Sequence, residues 1–95
     1  MNAPLGAAGL PQPLFHVDSG ALRFWVATPA GTMVGAIMPR HVLHHRFQAL
    51  MDGSDAVAIY ERHREEIDAA VLRRVGGGSI EPVMLRENDL PTLPA

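Results

Sequence analysis

From Leu14 onward, apolar and polar residues alternate with a period of two. Phe15 and Val17 interleave with His16 and Asp18, and Leu22, Phe24 and Val26 interleave with Arg23 and Trp25. This period puts successive side chains on opposite faces of a strand, so both stretches predict β-strands with one buried face. Between them, Asp18-Ser19-Gly20 supplies turn chemistry, because glycine takes a positive φ without steric cost. Thr28-Pro29-Ala30-Gly31 predicts a type I turn closed by a glycine bulge. Proline presets φ at the second turn position, and glycine suits a left-handed fourth position.

That turn fixes a register. With Gly31 as the bulge, Thr28 faces Thr32, Val26 faces Val34, Phe24 faces Ala36 and Leu22 faces Met38. Leu22, Phe24, Val26, Val34, Ala36 and Met38 then share one core-forming face, and burial asks for Phe15 and Val17 on the same side. The other face sets Trp25 opposite Gly35, with Met33 and Ile37 nearby. An aromatic ring lying over a strand glycine stabilises such a site.

After Pro39 the period changes. Leu43, Phe47 and Leu50 stand at i, i+4 and i+7, which predicts a helix over 39–51 with proline in its first turn. Asp52-Gly53-Ser54 ends it, and Ser54 or Asp55 caps a longer helix over 55–75. Ala56, Tyr60, Ile67, Ala70 and Val71 fall on the inner face of that second helix. Arg62–Glu66 and Arg64–Asp68 have ion-pair spacing, Arg73 and Arg74 complement the dipole of the last turn, and Gly76-Gly77-Gly78 stops the helix. A last strand spans 80–86, either an edge strand or one that begins at Pro82. The order β-β-β-α-α-β predicts an α+β fold: a small antiparallel sheet with two helices packed on one face. Residues 1–12 and 91–95 read as tails around a single domain over 13–90.

Composition narrows the function classes. A chain of 95 residues with 47% hydrophobic and 19% charged residues is one globular domain. The absence of cysteine removes disulfides, thiolate metal sites and thiol nucleophiles, and it favours a reducing cytoplasm. A net charge of −2 weighs against binding nucleic acid through phosphates. No apolar run reaches membrane-spanning length, and residues 1–9 lack the basic start of a signal peptide. No motif asks for a cofactor.

Leu22 and Phe24, then Ile37, Leu43 and Phe47, then Tyr60-x3-Arg64-x2-Ile67-x2-Ala70, and last Val83-Met84-Leu85 ahead of Asp89 form a spaced set over 14–90. In this spacing the chain resembles a family of short bacterial proteins catalogued as domain of unknown function 1488. The resemblance implies a small α+β fold and a proteobacterial source. It implies no activity and transfers no catalytic residue.

Few residues offer chemistry. His41 and His45, at i and i+4 on the first helix, are the candidate metal ligands. A zinc-protease pattern would need glutamate directly after the first histidine, where Val42 stands. The bland alternative is a solvated polar helix face. His63 borders the inner face of the second helix, as a half-buried histidine bonded to a backbone carbonyl or as a base. Arg64 is an anion-binding candidate together with His63, against the plainer alternative of an ion pair with Asp68. Arg40, His41, His44, His45 and Arg46 form a small basic patch. The triple glycine follows a helix rather than opening one, so it is no phosphate loop. Glu65 and Glu66 are adjacent on a helix and point apart, so they form no acid/base pair.

The leading expectation is a non-catalytic binding or protein-interaction module, self-associating in one form of that reading, that works through Trp25, Met33 and Ile37. The alternatives are a metal-dependent or small-ligand-binding protein that uses the His41/His45 helix, and a nucleic-acid accessory factor that uses the basic patch.

Overall fold

The computed structural model describes residues 11–90. The tails expected at 1–12 and 91–95 lie outside these residues, apart from Gln12 and Pro11, which forms an isolated bridge. The chain is an α+β domain in which a four-stranded sheet carries its helices on one face.

The centre of the sheet is the hairpin of its second and third strands, flanked by the first and the last. In chain order the first three are β1 (Leu14–His16), β2 (Ala21–Ala27) and β3 (Met33–Pro39). The Thr28 N–H donates to the Thr32 carbonyl at 2.9 Å, and Gly31 sits at φ 86°. Leu22 pairs with Met38, Phe24 with Ala36, Trp25 with Gly35 and Val26 with Val34. This is the register that the turn predicts, and the six residues of its inner face are all buried. β1 pairs antiparallel with β2 and sets Phe15 opposite Leu22, on the core side. Val17 does not follow. The Gly20 N–H closes on the His16 carbonyl at 2.9 Å, so the chain has entered its turn by Val17, which is exposed.

The last strand, β4 (Val83–Met84), is shorter than the expected 80–86 and runs parallel to β3. The sheet order is β1-β2-β3-β4, so the sheet is mixed and not purely antiparallel. The chain leaves β3 into helices and returns beside it, and a crossover of that length allows a parallel return. Pro82 stands just before β4, where it removes no ladder donor, and the Glu81–Pro82 peptide is cis.

Helix α1 (Arg40–Phe47) begins after Pro39 and stops short of residue 51. Gln48 adopts a left-handed φ of 61°, with its N–H on the His44 carbonyl and the Ala49 N–H on that of Leu43. The Gln48–His44 bond is that of an αL ending, with glutamine in the usual glycine position. Leu50 therefore falls beyond the helix and is exposed, and the inner stripe is Val42, Leu43 and Phe47.

The helix expected over 55–75 is two helices, α2 (Ala56–Arg62) and α3 (Arg64–Gly76), which meet at His63. The His63 ring lies 4.6 Å from that of Phe47, and its Nδ1 is 2.7 Å from Glu66 Oε1. The break lets α2 pack on β1 while α3 packs on β2 and β4. Ala56, Tyr60, Ile67, Ala70 and Val71 stay buried across it. Neither Ser54 nor Asp55 caps α2 with its side chain, because the Asp55 carboxylate accepts the Leu50 N–H at 2.9 Å. Gly53, at φ 79°, holds the α1–α2 loop against β1, and a Cβ there would collide with the Phe15 ring.

Candidate interaction face

With the helices on the inner side, the outer residues of the strands form a second face. Leu14, Arg23, Ile37 and Met84 make one row across all four strands. Trp25 and Gly35 make the next row, and Ala27 and Met33 the one after. Leu14, Met33 and Met84 are 44%, 51% and 50% exposed, and Trp25 and Ile37 are half-buried. The structure thus brings together Trp25, Met33 and Ile37, as their alternation implies.

Gly35 is the low point of this face. A Cβ at Gly35 would lie 3.5 Å from both the Trp25 indole nitrogen and Glu81 Oε1. The Glu81 carboxylate accepts the Gly35 N–H. A groove of about 220 Å³ runs here between Arg23, Trp25, Gly35, Ile37 and Pro82. The ion pairs among the described residues are His45–Glu87, His63–Glu66 and Arg74–Asp89, so Arg23, which lines the groove, and Glu81, which sits against Gly35, have no ion-pair partner. Arg23 falls on this face with Trp25 as the alternation predicts, whereas Leu14, Glu81 and Met84 were not expected there. Met84 had a signal, because Val83 and Leu85 are buried on either side of it. Glu81 had none, since its role depends on where β4 begins.

The other candidates lie on the helices. Arg64 makes no ion pair with Asp68, contrary to its spacing. Its guanidinium lies 5.1 Å from the centre of the Tyr60 ring, and its Nε is buried without a hydrogen-bond partner. Asp68 instead accepts the Tyr60 hydroxyl at 2.7 Å. Burial pushes the Asp68 carboxyl above its ordinary value, against the opposing effects of the Tyr60 hydroxyl and the Arg64 charge. Burial, followed by the Asp68 carboxylate, also drives the Tyr60 phenol upward. Arg62 does not reach Glu66, which is held by His63. His63 is half-buried as expected, but its partner is this carboxylate and not a backbone carbonyl. The shallow surface over His63 and Arg64 also carries Glu61, Glu65 and Glu66, which oppose an anion there.

His41 and His45 lie on one side of α1 with ring centres 6.4 Å apart. His45 Nδ1 is 3.0 Å from Glu87 Oε1. No group of three or more His, Cys, Asp or Glu among the described residues is placed to hold a metal ion. The basic patch is drawn into the fold. Arg40 donates to the Met51 carbonyl, Arg46 donates to that of Glu87, and His44 Nδ1 meets the Ala49 carbonyl. Arg74 reaches Ser79 Oγ, the Met84 carbonyl and Asp89 Oδ2 at 3.0, 3.0 and 2.7 Å, and so ties the C-terminal segment to α3.

Comparison with known proteins gave no match to a family model, a curated protein or a solved structure. No helix among the described residues is long and apolar enough to cross a membrane.

Proposed function

We propose that the chain works as a small protein-interaction module, with the outer face of its sheet as the working surface. The observation that carries this reading is the apolar set Trp25, Met33, Ile37 and Met84, with Leu14 beyond Arg23, on the side of the sheet opposite the helices. A contiguous exposed apolar patch on a small domain marks an interaction surface. The groove within it is floored by backbone and walled mainly by apolar groups, which suits docking better than reaction chemistry. A cytoplasmic setting belongs to the same reading and rests on the cysteine-free composition. The resemblance to the domain of unknown function 1488 family brings no activity and leaves the proposal on the geometry alone.

The chain has one tryptophan and no cysteine, so both probes are clean. In dilute solution, acrylamide should quench Trp25, and a Met33→Cys variant should react quickly with maleimide. A strict monomer in which Trp25 is shielded and Cys labelling is slow would overturn the reading.

A further inference from the structure

We infer that the partner on this face is a second copy of this chain, packed sheet to sheet about a two-fold axis through the Gly35 groove. The inference rests on the interaction-module reading and adds the identity of the partner. Its basis is the charge pattern of the face. Arg23 stands on β2 and lines the groove, and Glu81 stands beside β3 against Gly35. Neither has an ion-pair partner among the described residues, and Glu81 uses Oε1 on the Gly35 N–H.

A two-fold interface is self-complementary: if residue i meets residue j, then j meets i. An axis through the groove sets Arg23 of each copy toward Glu81 of the other, forming two ion pairs from two lone charges. A different partner would have to supply both a carboxylate and a cation at matching places. The same axis lays the apolar rows of the two copies against each other, and the groove between Arg23, Ile37 and Pro82 receives a side chain from the opposite sheet. The face carries one charge of each sign, and the whole chain carries only −2, so little repulsion opposes pairing. Two strands of seven residues flanked by strands of three and two, about 4.8 Å apart and rising about 3.3 Å per residue, give roughly 300 Å² of flat sheet. That is below the ~800 Å² per partner of a standard interface, so the dimer is weak and reversible.

Sedimentation of the full chain from about 10 μM to about 1 mM tests this. The expected result is a concentration-dependent monomer–dimer equilibrium with Trp25 shielded as dimer forms. Arg23→Glu and Glu81→Arg, each alone, should weaken association about tenfold or more by setting like charges opposite each other. An equimolar mixture of the two variants restores both attractive pairs, and should dimerise within about threefold of the wild type. Should Glu81→Arg fail to fold, Arg23→Glu mixed with wild type serves instead, because its heterodimer keeps one attractive pair and should be intermediate in strength. Wild type that is monomeric at about 1 mM with an open Trp25 overturns the dimer and leaves the module reading standing. A monomer with Trp25 shielded overturns both. Variants that dimerise as tightly as wild type, or a mixture no tighter than either variant, overturn the two-fold pairing.

Discussion

The Glu81 carboxylate accepts the Gly35 N–H at a point where β4 has no residue to pair. A side chain thus extends the hydrogen bonding of a two-residue strand along the edge of β3. Glu81→Ala should lower stability by about 1 kcal/mol, the usual net worth of one such bond where water can partly replace it. Glu81→Gln, which keeps an acceptor, should lose less. Urea unfolding of both variants checks the order.

Gly53 and Gly31 both have positive φ but differ in their surroundings. Gly31 has open space around it, while a Cβ at Gly53 would strike the Phe15 ring. Gly31→Ala should cost about 1 kcal/mol, from the backbone alone. Gly53→Ala adds overpacking and should cost about 2–4 kcal/mol. Equal midpoint shifts in chemical denaturation would contradict the close approach of Phe15.

Asp68 gives a pH signature of known sign. Its folded carboxyl titrates above the ordinary value because it is buried. As pH rises past about 3.9, the unfolded chain loses this proton before the folded one does. Wild-type stability relative to Asp68→Asn should therefore be greatest in acid, fall through that window, and level off above the folded pKa. Denaturation series on both proteins across acidic pH measure the difference. A difference that grows with pH would contradict the sign.

Arg74–Asp89 is a partly buried pair, and Arg86 also donates its backbone N–H to the same Asp89 oxygen at 2.8 Å. Asp89→Ala removes both bonds and should cost about 2 kcal/mol. Asp89→Asn keeps an acceptor without the charge and should fall between. Thermal melts of the three proteins rank them.

Where local chemistry decides the structure, the sequence could be read. The Thr28–Gly31 turn sets the β2–β3 register, and strand alternation separates the Phe24 face from the Trp25 face. The Trp25, Met33 and Ile37 set followed from the same two facts. What could not be read depends on distant contacts. Continuous helical spacing through His63 hides a break that requires Phe47 and Glu66 around the ring. Leu50 keeps a helical interval, but Gln48 turns the chain before it. The parallel direction of β4 depends on how the intervening helices return the chain. Arg64 and Asp68 stand four apart, yet Tyr60 takes the carboxylate, a competition that spacing alone does not express.

The short outer strands have a bearing on assembly. β1 offers three residues before the chain bends away at Val17, and β4 offers two, preceded by Pro82. Sheet edges this short are poor templates for strand addition. Growth along the hydrogen-bonding direction, the route to open-ended fibres, therefore has little to build on. The proposed face-to-face contact, by contrast, is used up once two sheets have met, and so leaves no surface of the same kind for a third copy.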